Sequence, residues 1–245
     1  MKKWMCLSGL WLGYGLASGA AFAQSGGASS DSEWSPISQG DLHAGQITAQ
    51  MCNACHDPNG QSAFAASPQL NGQHAAYLAK QLRDFQLGIS SDGKQGRTDP
   101  IMGGIALTLT DTDIANVAAY YASLPVVSSA EKLPQNAAES ERDYVEEHAQ
   151  ESSMQLGQRL YLAGEQPRQL AACRACHGFD ASGLTSAGFP RLAGQNADYL
   201  ASQLRHFRDK ARHNDRNAMM RESSQALSDQ EIEALAHYLS SLSVN

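Results

Sequence analysis

The sequence predicts an all-α protein built as two tandem copies of one helical unit. Three observations carry this. The pentapeptide Cys-x-x-Cys-His occurs twice, an eighteen-residue block with twelve identities follows each copy, and each unit ends in a segment whose apolar residues recur at helical spacing.

The chain opens Met1-Lys2-Lys3, continues apolar from Trp4 to Phe22 and presents Ala21-Phe22-Ala23 before Gln24. That pattern reads as a secretory leader over 1–23, with the mature chain starting at Gln24. Cys6 falls in the leader and receives no function. Residues 24–35 are rich in Ser and Gly and read as a flexible stub. No later segment is apolar enough to span a bilayer.

The first unit is placed at 36–127. Asp41 to Gln50 reads as a helix carrying Gly45 and leads into Cys52-Asn53-Ala54-Cys55-His56. The repeated block then runs from Pro68 to Phe85, with Leu78, Leu82 and Phe85 on one stripe and Gln81 at its edge. Thr110-Asp111-Thr112-Asp113 reads as a capping box opening a closing helix with Ile114, Val117, Ala118 and Tyr121 on its apolar face. Residues 128–152 hold seven Asp or Glu against Lys132 and Arg142 and read as an acidic linker.

The second unit, 153–245, repeats the order. A helix over Ser153–Leu162 carries Gly157, and nine additional residues precede Cys173-Arg174-Ala175-Cys176-His177. The block recurs from Pro190 to Phe207, with Leu200, Leu204, Phe207 and Gln203 matching the first stripe. Ser228-Asp229-Gln230-Glu231 opens a closing helix with Ile232, Leu235, Ala236 and Leu239. Neither unit contains a credible strand.

Two thiols at this spacing can add to the two vinyl groups of one porphyrin, and the adjacent imidazole then faces the iron. The motifs therefore predict two covalently bound c-type haems, attached through Cys52 and Cys55 and through Cys173 and Cys176, with His56 and His177 as iron ligands. A thioredoxin-like dithiol would need a βαβ setting, and a structural zinc site would have to gather four thiolates from distant positions. Neither rival explains a histidine after each pair. Export fits as well, because every cysteine of the mature chain lies in a haem motif.

For the opposite face of each haem, aligning the closing helices without gaps carries Met102 onto Met220, each expected in a polar loop before the last helix. Met219 stands next to Met220 as the competing ligand. The histidines at 43, 74, 148, 206, 213 and 237 lack partners in the other copy and are expected to be non-ligands. The carbonyls of Pro68 and Pro190 are placed to accept the remaining ring N–H of each ligating imidazole.

With these motifs present twice, the chain resembles the class I c-type cytochromes and specifically the dihaem cytochrome c4 family. The resemblance implies two cytochrome c domains, each wrapped around a haem and related by a pseudo-twofold, with propionates near the domain interface and His/Met ligation in both. It implies a periplasmic carrier between a quinol-oxidising complex, a quinol–cytochrome c reductase, and a haem-copper terminal oxidase. A dihaem subunit of a periplasmic dehydrogenase and a dihaem peroxidase are the alternatives. The chain departs from the family in its long acidic linker and in Asp57, which stands where the second copy has Gly178. A formal net charge of −7 gives no reason to expect nucleic acid binding. Peripheral adherence to the membrane is left open. The basic run from Arg205 to Arg216 is expected to meet an acidic partner surface.

Overall fold

The computed structural model describes residues 40–126, apart from 59, 61, 63 and 65, and residues 151–243. The leader, the stub and nearly all of the linker lie outside the described residues. Ten α-helices occur among the described residues: α1 (Leu42–Thr48), α2 (Asn53–His56), α3 (Ala75–Ser90), α4 (Pro100–Ala106), α5 (Asp111–Ser123), α6 (Ser153–Ala163), α7 (Arg174–His177), α8 (Ala197–Arg208), α9 (Met219–Ser224) and α10 (Asp229–Ser241). Two isolated antiparallel bridges, Glu165 with Leu170 and Leu184 with Phe189, are the only extended pairings among these residues.

The helix boundaries follow local chemistry. Asp41 caps α1 by accepting from the backbone N–H groups of His43 and Ala44, and a 3₁₀ turn, Ala49–Cys52, delivers the chain to the first motif. Both predicted capping boxes form: Thr110 with Asp113 on α5 and Ser228 with Glu231 on α10. A third, Ser152 with Gln155, opens α6. Each reciprocal pair satisfies N–H groups that a helix start leaves without partners.

In both copies the first helix crosses the closing helix at a glycine. A Cβ on Gly45 would lie 2.1 Å from the Asn116 carbonyl oxygen of α5, and one on Gly157 would lie 2.1 Å from the Ala234 carbonyl oxygen of α10. Only a residue without a side chain permits that approach.

Each copy has its own core. Leu78, Leu109, Ile114, Val117 and Tyr121 gather in the first, and Leu160, Tyr161, Leu200, Leu227, Ile232, Leu235 and Leu239 in the second. The Pro-x-Leu-x-Gly loops are tied to the closing helices by equivalent bonds, Gly72 N–H to the Tyr121 carbonyl and Gly194 N–H to the Leu239 carbonyl, both 2.9 Å. The two copies share a polar seam within one compact unit, built largely from these same loops.

Candidate haem-binding sites

The Cys-x-x-Cys-His segments form the short helices α2 and α7, so two thiols and an imidazole project from about one turn. All four cysteines are half-buried, and none is joined to another in a disulfide. Among the described residues no group of three or more His, Cys, Asp or Glu side chains gathers as a four-thiolate centre would require.

His56 and His177 are each 5% exposed. His56 Nδ1–H donates to the Pro68 carbonyl and His177 Nδ1–H to the Pro190 carbonyl, both at 3.0 Å. Burial lowers the pKa of both imidazoles, a trend the proline carbonyls oppose in part. A neutral ring whose Nδ1–H is committed presents the Nε2 lone pair to a metal.

The methionines sit differently from the expectation. Met102 lies inside α4 rather than in a loop, because Asp99 caps the helix by accepting from the N–H groups of Ile101 and Met102 and Pro100 occupies the first turn, where its missing N–H costs nothing. Met220 lies inside α9, which Asn217 and Ala218 precede in left-handed conformations, and Asp215 accepts from the Arg221 N–H. The Asp-Pro pair was the available signal for the first helix; nothing comparable marks the second. Met102, Met219 and Met220 are half-buried.

In the second copy these groups line one cleft of about 1550 Å³, open mouth included. Cys173, Cys176, His177, Met219 and Met220 meet there, and Leu160, Leu192, Leu204 and Phe207 are among its apolar walls. Tyr77, Lys80 and Gln81 of the first copy also reach this cleft, alongside Gln203 and Arg212.

Two arginines meet at the seam: Arg97, which the sequence did not single out, and Arg212, which it placed in the basic docking run. Arg97 stacks over Phe85 at 4.7 Å and donates to Gln81 Oε1, Gln203 Oε1 and the Tyr199 hydroxyl. Arg212 stacks over Phe207 at 4.5 Å and donates to Gln203 Oε1, Gln81 Oε1, the Tyr77 hydroxyl and Asn214 Oδ1. Each arginine thus bonds residues of both copies through neutral hydrogen-bond partners, and the carboxylate that acts on Arg212, Asp84, is also bonded by Lys80 at 2.6 Å. Two largely buried cations against that one carboxylate favour a further anion. A haem, apolar over its faces and carrying vinyls at one edge and two carboxylates at another, matches a cleft with thiols, apolar walls and a buried cation. The residues present fit the group.

Arg212 is therefore no part of a docking face, contrary to the expectation for the 205–216 run. Of its neighbours, Arg208 bonds Asp229 at 2.8 Å, and Arg205 pairs with Glu233. Their charge is largely matched on the protein itself.

The cytochrome c family model matches residues 43–125 and 154–243. Cytochrome c4 of Thiocapsa roseopersicina is 39% identical over 206 residues, covering 83% of this chain and 94% of the relative. The crystal structure of reduced recombinant cytochrome c4 from Pseudomonas stutzeri superposes with a TM-score of 0.72 at 33% identity, covering 83% of this chain and 100% of that one. A protein described as a thiosulfate dehydrogenase electron acceptor, from Stutzerimonas stutzeri strain A1501, is 36% identical and covers 79% of this chain and 80% of its own.

Proposed function

The chain belongs to the cytochrome c4 family of dihaem electron-transfer proteins, and on that premise we propose that it is an exported, periplasmic carrier accepting electrons singly from a quinol-oxidising respiratory complex and passing them to a haem-copper terminal oxidase. The observation that carries the reading is the convergence of Cys173, Cys176, His177, Met219 and Met220 on one largely apolar cleft. Bound haem supplies a one-electron ferric–ferrous couple. Cys52, Cys55, Cys173 and Cys176 would anchor it covalently, His56 and His177 would offer Nε2, and Met102 and Met220 would offer thioethers from α4 and α9. An iron held by both a thioether and an imidazole would have no position for oxygen or peroxide, the behaviour of a carrier rather than a peroxidase.

A second reading concerns the donor. The 36% identity to a thiosulfate dehydrogenase electron acceptor supports a periplasmic dehydrogenase as the source of electrons. The test is a redox titration of the purified protein with haem quantitation, near-infrared spectroscopy and exposure to carbon monoxide. Two haems per chain, a sulfur-to-iron charge-transfer band and no carbon monoxide adduct are expected; a single haem or an adduct refutes the carrier. Stopped-flow reduction by a quinol–cytochrome c reductase against reduction by thiosulfate dehydrogenase separates the two donors.

A further inference from the structure

The seam contains a reciprocal pair of contacts that reach toward the two proposed axial histidines. In the first copy, the peptide group joining Pro68 and Gln69 accepts from His56 Nδ1–H at its carbonyl and donates through its N–H to Gln195 Oε1, at 3.0 and 2.8 Å. Gln195 belongs to the second copy. There, the peptide joining Pro190 and Arg191 accepts from His177 Nδ1–H and donates its N–H to Gln73 Oε1 of the first copy, both at 3.0 Å.

Each glutamine makes a second bond to the same residue it receives from. Gln195 Nε2 donates to the Gln69 carbonyl and Gln73 Nε2 to the Arg191 carbonyl, both at 2.9 Å. Each is also held from behind, because its Oε1 accepts from the next backbone N–H, His74 for Gln73 and Asn196 for Gln195, at 2.9 Å. Both side chains are buried, so their geometry is fixed and unscreened by water.

We propose that Gln73 and Gln195 are crossed positioning residues, each setting the hydrogen bond of the axial histidine in the opposite copy and thereby the reduction potential of the opposite haem. The physical chain is short. An N–H that donates polarises its own peptide, making the carbonyl a better acceptor. A stronger acceptor draws harder on the imidazole Nδ1–H, which makes Nε2 a more basic ligand. A more basic ligand favours the ferric state and lowers the potential. The inference rests on the reading that His56 and His177 ligate the two irons.

The test is an NMR-monitored redox titration of the holoprotein, following the methyl resonances of each haem separately, in Gln73→Met, Gln195→Met, Gln73→Glu and Gln195→Glu. Methionine keeps the length and loses the acceptor, so Gln195→Met should raise the reduction equilibrium constant of the haem on Cys52 and Cys55 about threefold, or ~28 mV at about 59 mV per decade for one electron. Gln73→Met should do the same to the haem on Cys173 and Cys176. Glutamate keeps a stronger acceptor and adds a negative charge at the seam, so it should lower both potentials, that of the opposite haem by more. A methionine shift at the variant's own haem, an equal shift at both haems in either variant, no shift, or the same sign for Met and Glu at the opposite haem overturns the proposal. Should a methionine variant fail to fold, the larger glutamate shift at the opposite haem decides. A wild-type protein lacking either haem, or either imidazole ligand, would instead refute the functional reading beneath it.

Discussion

Asp57, the residue after the first proposed axial histidine, adopts φ 63° and ψ 151°, a region that side-chain-bearing residues occupy only under strain. Gly178 holds the corresponding place at φ 83° and ψ 164° at no such cost. Both turns are kept by a backbone bond back into the short helix, Asp57 N–H to Asn53 and Gly178 N–H to Arg174. Asp57→Gly should therefore stabilise the holoprotein by about 1 kcal/mol, and Gly178→Ala should destabilise it by a similar amount, both measured by denaturant unfolding. At this scale the sequence was partly legible. The motif cysteines and histidines announce themselves through a spacing that porphyrin chemistry imposes, and the Pro68 and Pro190 carbonyls follow from the need of a ligating imidazole for an acceptor. The seam role of Arg97 and Arg212 was hidden. They lie twelve residues past Phe85 and five past Phe207, in the stretch where the two copies differ in length, so no alignment of the repeat pairs them.

Among the elements, the closing helices were legible almost in full, because a capping box and a 3.6-residue apolar period are both local signals. Their crossing by α1 and α6 was not. Gly45 and Gly157 reveal their purpose only once a carbonyl oxygen of the facing helix stands 2.1 Å from where a Cβ would be. Gly157→Ala should force α6 away from α10 and cost about 1–3 kcal/mol as overpacking. Gly104→Ala, on an exposed face of α4 with nothing within 4 Å of the new Cβ, should instead gain up to about 1 kcal/mol from helix propensity. Opposite signs for two identical substitutions, read from the same unfolding experiment, would tie the first to the crossing rather than to haem content. The placement of the methionines in α4 and α9 shows the complementary weakness of sequence reading. Helices of seven and six residues are too short to display a period, so the glycine-bearing stretch around Met102 and the polar one around Met220 both read as loops.

The whole molecule is organised around a seam that no local pattern encodes, since its bonds join residues more than a hundred positions apart. There the two arginines place two positive charges among neutral hydrogen-bond partners drawn from both copies, with Asp84 the carboxylate that acts on Arg212. Arg97 bonds Gln81 of its own copy together with Tyr199 and Gln203 of the other, while Arg212 bonds Gln203 of its own together with Tyr77 and Gln81 of the other. A fixed cation stabilises the reduced state of a nearby redox centre, which carries one positive charge fewer than the oxidised state. Shared placement means each charge is felt on both sides. Arg97→Gln and Arg212→Gln should each lower both midpoint potentials in a spectroelectrochemical titration, whereas the uncharged methionine substitutions at 73 and 195 act on one haem at a time. Arg212, at 7% exposure, should show the effect with little dependence on ionic strength, because salt screens surface charge far more than buried charge. A downward shift confined to one haem, or one abolished by moderate salt, would mean that the arginine serves its own copy alone and that the seam is mechanical rather than electrostatic.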